Sequence, residues 1–186
     1  MNSPRLWTLV ALTLAAAATR LLPHPPNMTA IGAVALFGGA YFNRRWLAVL
    51  VPLAAMLVSD VALTCTLYAG GGLSIEPMTY FCFLLTVGLG LLLRDRVSVS
   101  RVTVAAVLAS VMFFLMSNGW VWLGSKTYPQ NAAGLIECYI AGLPFAQYML
   151  VGNLFYCGVL FGAMESCQRV WPTLRQRTLA TVRVLR

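Results

Sequence analysis

Six apolar segments, separated by short polar breaks, constrain this chain more than any other feature. They run about 6–22, 28–42, 46–68, 78–93, 102–123 and 144–164. The breaks PHPPN, NRR, AGGGLSIEP, RDRVSVSR and SKTYPQNAAGLIECYIAGLP collect the turn formers and most polar groups. A helix needs about 20 mostly apolar residues to cross hydrocarbon. Water is the wrong solvent for such a chain: 60% of the residues are hydrophobic and 10% charged, against roughly 25% charged in soluble domains. The first run, Leu6 to Leu22, is longer than the 7–15 residues or so of a cleaved signal core and is expected to remain as a helix. The second and fourth segments are short for full spans, and tilting, a break or burial by neighbours would accommodate them.

The positive charges test this division. With the amino terminus in the cytoplasm, eleven of the thirteen Lys and Arg residues fall on the inner side, and only Arg20 and Lys126 fall outside. That bias follows the positive-inside rule. It predicts an all-α integral membrane protein with six transmembrane helices and both termini cytoplasmic. Residues 1–168 form the membrane domain, and residues 169–186 form a basic tail along the anionic leaflet. Basic residues scattered between apolar runs argue against a nucleic-acid partner. The partner they imply is the bilayer.

The same map sorts the polar residues. Arg20, His24 and Asn27 fall on the external side, with Glu76, Tyr80, Cys82, Lys126, Tyr128 and Glu137. Asn118, Trp120 and Trp122 end the fifth segment, and Asn153 lies in the outer half of the sixth. Asp60 lies past the middle of the third segment, with Cys65 one turn beyond. A charge at mid-helix costs about 2.5–3.5 kcal/mol to insert, so Asp60 should face the interior with a partner. That partner could be a ligand or ion, or a structural mate such as Arg20 or His24. His24, wedged between prolines that stiffen the backbone, could be held over a pocket or simply close a loop. Asn27 can cap the second helix.

Other features have plain readings. The small residues of GAVALFGGA (Gly32 to Ala40) and of Ala11, Ala15 and Ala18 suit close helix packing in lipid. Trp120 and Trp122 suit an interfacial belt or an aromatic wall around a ligand. Five cysteines without CxxC spacing imply neither a disulfide framework nor a zinc site. No nucleophile elbow, HExxH pair or phosphate-binding loop is present. The glycines at 70–72 suit a flexible outer loop.

The segments RLLPHPPNMTAIGAVALFGGAYF, VPLAAMLVSD, MTYFCFLL, SNGWVWL and GLPFAQYMLVGNLFY occur in this order over about residues 15–165. Together they resemble a family of small bacterial membrane proteins similar to the substrate-binding S-components of energy-coupling-factor vitamin transporters. The resemblance implies an S-component-like bundle of six helices that captures a vitamin or metal ion near the external side. It also implies docking of an energising module on small residues of the first helix, where Ala11 and Ala15 have AxxxA spacing. The chain has no Walker motif, so any ATP hydrolysis would belong to another subunit. A narrower likeness, to solitary cobalamin transporters that use a cysteine as cobalt ligand, makes cobalamin the leading ligand. Cys82 is then the first candidate for the cobalt and Cys65 the second. Asn153 stands where an acidic residue is usual in the broader family, so no cation role is carried onto it.

The expected function is therefore uptake of a small molecule from outside, with no intrinsic cofactor. Arg20, His24 and Asp60 would form a polar wall, and Tyr80, Cys82, Trp120 and Trp122 an aromatic and thiol wall. The alternatives are an intramembrane enzyme using His24 and Asp60 as acid and base, and a structural subunit whose polar groups only pair helices.

Overall fold

The computed structural model describes residues 4–66 and 76–175. Among them each apolar segment carries one α-helix: α1 (Pro4–Ala18), α2 (Ile31–Tyr41), α3 (Arg45–Thr66), α4 (Pro77–Leu91), α5 (Val99–Gly124) and α6 (Ala132–Val170). Single 3-10 turns follow α1 at Thr19–Leu21 and α6 at Pro172–Leu174. Helices α3, α5 and α6 are long and apolar enough to cross a membrane. Their outward faces agree with that. Val104, Leu108, Val111 and Leu115 run exposed along α5, and Leu50, Leu57 and Val61 along α3. In water such stripes would drive aggregation, whereas in lipid they are the solvated surface.

Helix α2 is the centre of the bundle. Its eleven residues span about 16 Å at 1.5 Å each, roughly half the hydrocarbon thickness. Every residue from Ala33 to Tyr41 is buried, and α1, α3, α4, α5 and α6 all pack against it. The small residues make this possible. A Cβ on Gly39 would run into the Val87 carbonyl, one on Gly90 into the Leu36 carbonyl, and one on Gly38 into the Pro52 ring. Close packing is therefore the role of Gly38 and Gly39. Ala11, Ala15 and Ala18 differ, since they lie on the exposed face of α1.

A short helix ending inside a bundle leaves its last carbonyls without water. Arg94, just beyond α4, supplies the donors. Its Nε donates to Gly39 O (2.9 Å), Nη2 to Phe42 O (2.6 Å) and Nη1 to Asn43 O (3.4 Å). Burial, then the nearby Arg45 charge, lowers the Arg94 pKa from its ordinary value, while Asp95 raises it. Arg5, also buried, donates through Nη2 to Tyr41 O at 3.1 Å and through Nη1 to Leu174 O. Two of the basic residues thus close the carboxyl end of α2.

Two expectations need correction. The stretch 125–143, read as a loop, is one only to residue 131. Asn131 caps α6, its Oδ1 accepting from Gly134 N at 2.9 Å, and the helix then runs 39 residues through Pro144. At 1.5 Å per residue that is roughly 58 Å, so α6 is nearly twice as long as a span requires. Asn27 does not cap α2. It adopts a left-handed conformation, φ 63°, which asparagine tolerates better than most residues. The helix starts only at Ile31, behind Ala30 at the cap position. The glycines at 70–72, and residues 176–186 of the basic tail, lie outside the described residues.

Candidate functional site

Three elements meet around Asp60. Arg20, in the turn that ends α1, donates from Nη1 to Asp60 Oδ1 at 2.6 Å and to Ser59 Oγ at 2.5 Å. Tyr80, in the first turn of α4, donates its hydroxyl to Asp60 Oδ2 at 2.6 Å. Ser59 passes its own proton to Met56 O at 2.7 Å. Both oxygens of the carboxylate are therefore bonded, and the side chains of the Arg20–Asp60 ion pair are only 14% and 15% exposed. A charge placed in a spanning helix is tolerable when it is paired and bonded in this way. Arg20 Nε is buried and has no bonding partner among the described residues.

Beside this pair opens a cavity of about 190 Å³. The amino end of α2 forms one wall, with Thr29, Ile31 and Gly32. No side chain caps that end, so the first turn brings the positive pole of the helix to the cavity. The other walls are Thr79, Phe83 and Thr86 from α4, Ser110 and Phe113 from α5, and Met149 and Asn153 from α6. Thr86 gives its hydroxyl proton to Cys82 O (2.9 Å) and Ser110 to Ala106 O (2.9 Å). Their remaining lone pairs can accept bonds from a guest. With Arg20 balanced by Asp60, the lining carries no net charge. It suits a small, largely neutral molecule with an apolar side against Phe83 and Phe113.

A second compartment of about 340 Å³ adjoins the first and shares Asn27, Thr79, Phe113 and Met149 with it. It is lined further by Glu76, Asn118 and Trp120. These four residues stand between the two.

The candidate residues divide accordingly. Arg20, Asn27 and Asn153 line the cavity, Asp60 and Tyr80 stand behind Arg20, and Asn118 and Trp120 line the second compartment. Asn153 is also a staple. Its amide donates to Ala106 O (3.0 Å) and Ser110 Oγ (3.1 Å), tying α6 to α5. Trp122 ties down the turn after α5, its Nε1 donating to Pro129 O at 3.0 Å. His24 is exposed, with Nδ1 at 2.6 Å from Leu22 O. It lines neither compartment, and Asp60 is bonded elsewhere, so the two do not form an acid–base pair. Cys82 is fully buried and outside the cavity lining, and Cys65 is exposed at the end of α3. Among the described residues no group of three or more His, Cys, Asp or Glu side chains could hold a metal ion.

Sequence reasoning missed Ser59, Gly32 and the hydroxyls of Thr79, Thr86 and Ser110. A threonine or serine in an apolar helix usually bonds its own preceding turn and passes unnoticed. A signal was present nonetheless. Thr79, Phe83 and Thr86 are spaced four and three apart, which places them on one face of α4.

No curated protein matches the chain, and neither does any solved structure. Residues 1–174 match a family of unknown function, DUF6580, and the chain belongs to that family.

Proposed function

We propose that this protein binds a small molecule from the external side of a bacterial cytoplasmic membrane and takes it inward. In this reading the chain crosses the membrane six times, with both termini cytoplasmic. The observation that carries the proposal is the 190 Å³ cavity at the uncapped end of α2. Its polar lining lies inside an otherwise apolar bundle, where unneeded polar groups are costly. The eleven-to-two division of basic residues supports an external position for that end. Resemblance to the S-components adds the vitamin-sized class of ligand. The open face of α1 around Ala11 and Ala15 leaves room for an energising module, or the protein acts alone.

Cobalamin, the ligand suggested by the narrower likeness, is the demanding case. A corrin ring with its substituents exceeds either compartment, and Cys82 would have to leave its buried position to reach cobalt. The geometry favours a smaller ring, seated against Phe83 and Phe113. Mass spectrometry of molecules released from protein purified in mild detergent would identify it. Asp60→Asn keeps an acceptor for Arg20, so it should cost roughly 1–2 kcal/mol of stability. It should reduce ligand retention by about tenfold or more, which is ~1.4 kcal/mol or above in affinity. Retention falling only in proportion to folded protein would instead favour the structural-subunit reading, in which the Arg20–Asp60 pair merely joins helices. A change in the visible spectrum of added cobalamin, lost in Cys82→Ser, would restore the corrinoid.

A further inference from the structure

A groove distinct from both compartments lies where α4 ends and α5 begins. Leu93 and Ala105, both buried, form its floor, and Leu89, Leu92, Val104 and Leu108 its sides. Its volume is about 290 Å³. Because the two helices are joined by the short turn at residues 92–98, Leu89 and Leu108 lie deeper along them, while Ser100 and Arg101 close the end at the turn. Leu92, Val104 and Leu108 are 69%, 58% and 52% exposed, so the groove opens sideways to the surrounding lipid.

The polar end has a definite arrangement. Arg101 donates through Nη1 to Arg96 O (3.0 Å) and through Nη2 to Leu92 O (3.2 Å). These bonds hold the guanidinium at the groove mouth, and its Nε donates to no described residue. Ser98 caps α5 by accepting from Arg101 N at 3.4 Å. The amides of Val99 and Ser100 remain at the positive end of a 26-residue helix. Arg94, Arg96 and Arg101 against Asp95 give the turn and the first turn of α5 together a net charge of +2. Arg94 is committed to α2, whereas Arg96 stands exposed.

We infer that this groove holds one acyl chain of an anionic phospholipid, with the lipid phosphate against Arg101, Ser100 and the first turn of α5. The charge complementarity selects the occupant. An apolar slot alone would take any lipid chain. A slot ending in a fixed guanidinium, an exposed second arginine and a helix amino terminus selects a negative headgroup. The inference needs the chain to lie in a membrane but does not depend on the ligand cavity or its contents.

The test is native mass spectrometry of the full chain with phosphatidylglycerol or phosphatidylcholine of identical chains. Wild type should retain one phosphatidylglycerol at about a tenth of the concentration needed for phosphatidylcholine. Arg96→Gln with Arg101→Gln should reduce that preference to about twofold or less. Because Arg101 also braces the end of α4, Val104→Trp supplies an independent test. It fills the groove from an exposed position and should remove the retained lipid without lowering the melting temperature in detergent. Equal retention of the two lipids by wild type would overturn the inference, as would a preference that survives in both variants. Stabilisation by inorganic phosphate equal to that by phosphatidylglycerol would also overturn it, since the acyl chain would then have no part.

Discussion

The two ends of α2 are built on opposite principles. At the carboxyl end the carbonyls of Gly39, Tyr41, Phe42 and Asn43 all receive guanidinium hydrogens from Arg94 or Arg5. At the amino end Ala30 offers no side-chain cap, and the nearest guanidinium, Arg20, is turned toward Asp60 and Ser59. One end is sealed by protein and the other opens on a cavity. Both ends lie on a helix too short to span a bilayer by itself. Under the proposed function, a buried helix anchors the bundle and also serves the site. The backbone groups needing partners are satisfied where rigidity is wanted and left available where a guest would sit.

The comparison breaks most severely at the sealed end. Arg94→Ala would strip donors from three carbonyls, each costing about 1–3 kcal/mol when left buried and unpaired. With partial access to water the sum should be roughly 3 kcal/mol. It would be measured as a large fall in melting temperature and in folded yield. Ligand retained per folded molecule should stay unchanged, because Arg94 bonds the carboxyl end of α2 and the cavity lies at its amino end.

The open end should respond in the opposite way. Gly32 lies in the cavity wall, and a Cβ there would sit 2.7 Å from Asn153 Oδ1. Gly32→Ala should cost about 1 kcal/mol or slightly more through overpacking, while abolishing most ligand retention. If stability falls steeply and retention per folded molecule is preserved, Gly32 belongs to the packing of α2 and not to a site.

How much of this was readable in the sequence depends on which interaction fixes each feature. The six helices were legible because apolar length is a local property. Arg20 as a mate for Asp60 was legible as one alternative, since few charges were available to pair. The 39-residue α6 was not. Its first turns carry Glu137 and follow Lys126, Pro129 and Asn131, which read as loop, and only the Asn131 cap reveals that a helix begins there. The burial of Cys82 was equally illegible, because its neighbours along α4 are large apolar residues and their pattern does not say which of them meets α2. Asn153 read as a binding group, yet its amide is spent on α5, a partner fixed only by tertiary packing.

The smallest effect is expected at His24, the one histidine of the chain. His24→Ala should change stability by less than about 0.5 kcal/mol, as for other surface substitutions, and should leave ligand retention unaltered. A loss of retention matching that of Asp60→Asn would bring His24 back to the site and would mean that the PHPPN turn moves when the ligand binds.

The central claim is that the uncapped end of α2 opens outward and the sealed end faces the cytoplasm. Single cysteines placed by Thr79→Cys and by Ser98→Cys, each in a cysteine-free background, test it directly in intact cells. Thr79 lines both compartments, and Ser98 lies exposed in the turn before α5. A small membrane-impermeant thiol reagent added outside should modify Thr79→Cys within minutes and reach Ser98→Cys only after permeabilisation. Labelling of Ser98→Cys in intact cells, with Thr79→Cys protected, would reverse the orientation and contradict the account.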